Sequence, residues 1–139
     1  MTEASNTLAL VADIGGTNAR FALTDIATAH PVLSHSLSLP AADFASLQHA
    51  IEHYLARVGA KPRLASLAVA CPVLGDDIRL TNRAWAFSQN ELKARLGLEH
   101  MLVINDFGAA ALAVLDIGDG DRVCLHGSQD QQRKGPITV

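Results

Sequence analysis

The segment Leu8-Ala9-Leu10-Val11-Ala12-Asp13-Ile14-Gly15-Gly16-Thr17-Asn18-Ala19-Arg20-Phe21-Ala22-Leu23 decides how this chain is read. It opens on a continuous apolar run, as expected of a strand covered on both faces. Asp13 falls near the end of that run, where a buried carboxylate is costly unless something pairs with it. Gly15-Gly16 follows between two β-type runs and predicts a tight hairpin whose residues can take positive φ. Phe21 and Leu23, alternating with Arg20 and Thr24, predict the returning strand. A glycine turn lets backbone N–H groups approach an anion closely, and Thr17 and Asn18 add side-chain donors. Two readings stand side by side here: a phosphate clamp with a carboxylate beneath it, and an ordinary hairpin with an Asp at its mouth. Neither G-x-G-x-x-G nor G-K-[ST] is present, and the segment after the glycines is strand-like rather than helical, so a Rossmann or Walker loop does not fit.

Working outward, Val32 to Leu39 alternates apolar residues with Ser or His and predicts a third, half-exposed strand ended by Pro40. Phe44, Leu47, Ile51, Tyr54, Leu55 and Val58 recur at helical spacing, with Asp43 as N-cap and Gly59 just past the end. Leu64 to Cys71 is a buried-strand run stopped by Pro72. Asp76-Asp77 reads as a turn and Ile78 to Leu80 as a short strand. Ser88-Gln89-Asn90-Glu91 is a capping box opening a helix through Leu96, closed at Gly97. Met101 to Ile104 predicts a strand, and Phe107 to Leu115 an Ala-rich helix. The order βββαβαβα points to an α/β layer fold. From Asp116 to Gly135 the chain is rich in Gly, Asp, Gln and Arg, with only Val123 to Leu125 able to form a short strand; Pro136-Ile137-Thr138-Val139 then reads as the start of another. No internal repeat or low-complexity segment is present.

At 139 residues, the chain lies within the range of one domain. With 49% hydrophobic and 18% charged residues it has the composition of a packed core rather than of a disordered segment. Its formal charge of −3 offers no basic surface, which argues against nucleic acid as a partner. Two cysteines, Cys71 and Cys124, do not make a disulfide framework and suit a reducing cytoplasm. The polar N-terminus lacks a signal-peptide pattern, and the most apolar stretches are too short to span a bilayer, so no membrane partner is expected.

Asn105-Asp106 falls where a strand ends and a helix begins, the position at which α/β proteins place ligand sites. Asp106 reads either as a helix N-cap or as a base for a substrate hydroxyl. His49-Ala50-Ile51-Glu52-His53 formally matches H-x-x-E-H. On the helix just drawn, however, both histidines fall on the solvent side and no third ligand is recognisable, so a solvated face is the expectation. Cys71 reads as a packed core residue, and Cys124 has no activating partner in sequence. Thr81-Asn82-Arg83-Ala84-Trp85 is either a surface turn anchored by Trp85 or the lining of a polar cleft.

Four stretches resemble, in order and at compatible spacing, the bacterial glucokinase family of the hexokinase-type, actin-like ATPase fold. They are Asp13-Ile-Gly-Gly-Thr-Asn-Ala-Arg20, Ala70-Cys-Pro-Val-Leu-Gly75, Leu80-Thr-Asn-Arg-Ala-Trp-Ala-Phe-Ser88 and Ile104-Asn-Asp-Phe107. The resemblance covers nearly the whole chain. It implies a three-layer ribonuclease H-like domain, and ATP and magnesium as cofactors. It also implies transfer of the ATP γ-phosphate to the 6-hydroxyl of glucose in the cytoplasm. By that resemblance Asp106 is the general base and Asn105 binds the sugar. Gly15, Gly16, Thr17 and Asn18 hold nucleotide phosphates, Asp13 faces the magnesium ion through water, and Thr81 and Asn82 border the sugar cleft. Family chains run to more than twice this length and close a second lobe over the substrates. The expectation is therefore that residues 1 to about 116 form most of a small domain, lacking its C-terminal helix, and that 117–139 begin a large one. The chain alone is then expected to be inactive and, with apolar surface left open, to self-associate, in the simplest case as a homodimer. The rival is a non-catalytic sugar sensor or nucleotide-binding module of the same fold. Such repressors carry an N-terminal helix-turn-helix, for which the seven residues before the first strand leave no room.

Overall fold

The glycine pair does close a hairpin. In the computed structural model, which describes residues 7–81, 84–121 and 123–125, β1 (Leu8–Ile14) runs antiparallel to β2 (Asn18–Asp25). β3 (Ser34–Pro40) pairs antiparallel with β2 on the outside. On the other side of β1 the strands β4 (Leu64–Val69) and β7 (His100–Asn105) lie parallel to it, so the five-stranded sheet has the order β3-β2-β1-β4-β7. A second sheet has two strands, β5 (Asp77–Arg79) and β6 (Ala86–Ser88). Contacts divide the chain into two units, Met1–Asp106 and Phe107–Val139.

Strand alternation builds the core of the first unit. Leu10, Ala12 and Ile14 share a face with Ala19, Phe21 and Leu23 of β2, Ala65, Leu67 and Val69 of β4, and Val103 of β7. Onto that face packs α1 (Leu47–Val58) through Leu47, Ala50, Ile51 and Tyr54, all at most 1% exposed. Burial of Leu47 and Ile51 contributes about 1.5–3 kcal/mol each. Tyr54 stacks on Phe21 at 5.2 Å between ring centroids and donates its hydroxyl to the His35 carbonyl at 3.0 Å. Burial pushes the Tyr54 phenol above its ordinary pKa, so it stays a donor. His35 itself takes φ 53 beside the register shift between Phe21 and Leu23. β3 starts at Ser34 rather than at Val32, which with Leu33 is exposed.

Helix ends follow local chemistry, with one correction. Asp43 does not cap α1. It belongs to a 3₁₀ turn over Ala41–Asp43, and extended Phe44 separates that turn from the helix. Ser46 is the N-cap, its Oγ accepting from the His49 N–H at 3.2 Å. At the other end Gly59 has φ 66, and the Ala60 N–H closes back on the Leu55 carbonyl. α2 (Gln89–Arg95) has the expected cap, with Ser88 accepting from the Glu91 N–H at 3.1 Å. It ends in a full Schellman motif: Gly97 (φ 66) donates to Ala94, and Leu98 to Lys93.

The β5–β6 hairpin adds a strand that periodicity missed, because three residues are too few to show alternation. Trp85, 4% exposed, anchors it: the indole N–H donates to the Phe44 carbonyl at 3.1 Å, and the Leu80 N–H donates to the Trp85 carbonyl at 3.0 Å. In the second unit, α3 (Asp106–Ala113, its first residue in the first unit) is followed by 3₁₀ turns at Val114–Asp116 and Asp119–Asp121. Residues 123–125 form no strand, and Pro136 to Val139 lie outside the described residues.

Asp76 fastens the small sheet to α2. Its carboxylate accepts from the Ser88 hydroxyl at 2.5 Å and the Asn90 N–H at 2.9 Å. These bonds, Ser88 first, hold its pKa below the ordinary carboxylate value. A depressed pKa contributes stability that is present above the unfolded-state value of about 3.9 and lost as pH falls through the folded one. Urea midpoints measured from pH 6 to pH 2.5 should therefore fall more steeply for the parent chain than for Asp76→Asn, with the two curves converging at the acid end.

Candidate functional site

Parallel pairing places three chain turns on one edge of the sheet. Ile14 lies opposite Val69, and Val69 opposite Asn105, so β1, β4 and β7 end on one line. The glycine hairpin, the Ala70-Cys71 step and Asp106 all leave the sheet there. The carboxyl edge of parallel strands is where α/β folds bind ligands. Asp13 shares its rung with Ala68 and Ile104, two strands away, and Asp106 lies two residues beyond Ile104. Two strand spacings, about 10 Å, separate the backbones of Asp13 and Ile104.

The hairpin is braced rather than loose. The Gly15 N–H donates to the Asn18 carbonyl at 3.0 Å, and the Thr17 carbonyl accepts from the Ala41 N–H at 2.9 Å. Contrary to expectation, neither Gly15 nor Gly16 takes a positive φ; among the described glycines only Gly59 and Gly97 do. A Cβ at Gly15 would meet only the Asn18 carbonyl, at 3.4 Å, which is an ordinary contact. The backbone therefore does not require glycine at this position, and what a bare Cα leaves is room for another group to approach. Thr17 is exposed, Asn18 half-buried, and Asp13 forms an ion pair with Arg20 at 3.1 Å. A two-residue turn at Gly16-Thr17 puts residues 13 and 20 opposite each other, which is the signal in the sequence for this pair.

Asn105 and Asp106 come together with the end of β4. The Asn105 amide donates to the Cys71 carbonyl at 3.0 Å, and the Thr81 hydroxyl reaches the preceding carbonyl, Ala70, at 3.4 Å. Consecutive carbonyls thus tie the tip of the β5–β6 hairpin and the end of β7 to one strand terminus. Half-buried Asp106 opens α3, and a carboxylate is favoured at the positive end of a helix dipole. The Cys71 thiol is buried, and its pKa is raised by that burial and, second, by the Asp106 charge. Asn82 lies outside the described residues.

The H-x-x-E-H match on α1 builds no metal centre. His49, Glu52 and His53 are exposed, Glu52 accepts from Gln48 at 2.7 Å, and the His53 ring lies against Phe44. Among the described residues no three His, Cys, Asp or Glu side chains converge on one point, and no helix is long and apolar enough to cross a membrane.

A sequence model of the glucokinase family matches residues 10–139. The chain belongs to the glucokinase family. It is 42% identical over 130 residues to a glucokinase of Tolumonas auensis, covering 94% of this chain and 40% of that protein. The crystal structure of a glucokinase from an Antarctic psychrotroph superposes with a TM-score of 0.80 at 42% identity, over 91% of this chain and 40% of that one. A glucokinase of Streptomyces griseus from the ROK family, solved with glucose and AMPPNP, shares the fold at TM-score 0.54 and 21% identity. The actin-like ATPase fold expected of the chain is the fold of these sugar kinases. The chain spans about 40% of the length of the curated relatives it matches.

Gly15→Ala should leave the urea midpoint of this glucokinase-family chain nearly unchanged, within about 1 kcal/mol of the parent. A loss of several kcal/mol would show that the hairpin itself requires glycine. Of the two cysteines, exposed Cys124 should react with a thiol reagent under native conditions. Buried Cys71, with its raised pKa, should react only on unfolding; two fast thiols would contradict that placement.

Proposed function

We propose that this chain forms the lobe of a glucokinase that carries the base and the first phosphate loop. In the complete enzyme the γ-phosphate of ATP passes to the 6-hydroxyl of glucose. The observation that carries this reading is that Asn105-Asp106 and the glycine hairpin leave the same edge of the sheet from strands two spacings, about 10 Å, apart. That separation leaves space for a phosphate chain and the acceptor hydroxyl between them.

In this reading Asp106 accepts the proton of the 6-hydroxyl as its oxygen bonds to the γ-phosphorus, and the bond to the bridging oxygen breaks with its electrons leaving on ADP. Asn105, its amide committed to the Cys71 carbonyl, orients the sugar beside that base. Thr81 and Asn82 border the sugar cleft from the hairpin fastened to Ala70. The main chain of Gly15 and Gly16, with Thr17 and Asn18, receives the nucleotide phosphates. A magnesium ion fits Asp13, because this ion commonly takes one or two carboxylates plus substrate phosphates rather than an all-protein cage. When bound, it neutralises charge on the phosphates.

The remaining recognition comes from a second lobe, about residue 117 onward and beyond, closing over both substrates and excluding water. The 139 residues alone are then inactive and bind glucose weakly or not at all. A homodimer and a cytoplasmic location are part of the same proposal, the latter supported by two cysteines that form no disulfide framework.

Sugar-dependent ATP turnover by the purified chain, with and without glucose, tests the lobe reading: none is expected, and glucose-dependent turnover would overturn it. Joined to the rest of a glucokinase, Asp106→Asn should lower kcat by about 10²–10⁴-fold while KM for glucose stays within a few-fold. A loss under about tenfold would remove Asp106 as the base.

A further inference from the structure

Asp13 and Arg20 stand directly opposite each other in the β1–β2 register. The Arg20 guanidinium donates to Oδ2 of Asp13 at 3.1 Å, with the two side chains 67% and 53% exposed. Both lie on the sheet face turned away from the core, at the mouth of the glycine hairpin. The carboxylate assigned above to the magnesium ion thus already has a cation beside it, supplied by its own hairpin.

We propose that Arg20 is an exchangeable counter-ion that competes with the divalent cation for Asp13. It satisfies the carboxylate in the ligand-free protein and must give way when the cation arrives. This rests on the reading of Asp13 as the metal-facing group. Three observations support it. The pair is exposed, and such a pair shifts an equilibrium only about two- to fivefold, so it opens readily. Among the described residues no group of three His, Cys, Asp or Glu side chains forms a metal cage, so a lone cation gains little at Asp13 and a monovalent competitor suffices to discourage it. The braced hairpin fixes both Cα positions, so the competition is decided by side-chain motion alone. The site thereby favours a cation arriving with the negative charge of nucleotide phosphates over a bare one. A cross-strand pair that merely stiffened the hairpin would predict no change in cation affinity when Arg20 is removed.

Manganese(II) is the probe, read by paramagnetic broadening of backbone amide resonances in the ¹⁵N-labelled chain without nucleotide. Broadening is expected around residues 13–17, and its midpoint concentration should fall about two- to fivefold in Arg20→Gln. Arg20→Lys should remain close to the parent. Arg57→Gln, which removes the same charge from the last turn of α1, should leave the midpoint unchanged. Asp13→Asn should abolish the broadening. Should Arg20→Gln fail to fold, Arg20→Thr, a better strand former, replaces it. Equal midpoints in parent and Arg20→Gln, with broadening still lost in Asp13→Asn, would overturn the role of Arg20 and leave the Asp13 reading standing. An equal fall in Arg57→Gln would reduce the effect to net charge and overturn it too. Broadening that avoids the hairpin, or survives Asp13→Asn, would overturn both.

Discussion

The parallel register of β1, β4 and β7 is the constraint on which the first unit depends. Side chains alternate along a strand with period two, so a slip of one residue exchanges the faces. In the observed register Leu10, Ala12, Ile14, Leu67 and Val69 are buried against α1. Slipped by one, β1 would turn Asp13 into that core and Leu10 out of it. Burial of the apolar set therefore fixes the register, and the register fixes which turns leave the sheet together. The glycine hairpin, the Ala70-Cys71 step and Asp106 leave one edge because, in this register, the three strands end on one line.

The two carboxylates of the site have different surroundings for the same reason. Asp13 lies on the face away from the core, half-open to water and beside a guanidinium. Asp106 starts a helix next to a buried thiol, one residue after an amide anchored on main chain. A carboxylate in water with a mobile cation beside it can exchange partners at small cost. One whose neighbours are held by main-chain bonds keeps its position, as the role proposed for Asp106 requires.

Several elements were legible because their causes are local. Ser88 caps α2, and Gly59 and Gly97 end their helices in left-handed backbone, each a matter of a few neighbouring residues. Where two local signals competed, the choice went wrong: Asp43 is as good a cap as Ser46 in isolation, and only the extended Phe44 between them decides. The β5–β6 hairpin could not be seen in alternation. Its anchor, Trp85 to the Phe44 carbonyl, joins residues 41 apart. The glycine hairpin was right in place and wrong in mechanism, since its glycines are not used for positive φ. The Asp13–Arg20 pair was implicit in the turn length, whereas the Asn105 bond to Cys71 spans 34 residues and left no trace in spacing.

By itself the sequence determined the α/β class, the positions of most strands and helices, and the four ordered motifs that mark the glucokinase family. Those depend on residue type, periodicity and turn chemistry within a dozen residues. Only the tertiary structure decided that Asn105 is pinned to the end of β4 and that the hairpin tip is tied to Ala70. Each of these is a bond between a side chain and a strand that core packing has carried to its place. Sequence distance carries no record of it, because the register that makes the contact is set by the summed burial of the whole sheet.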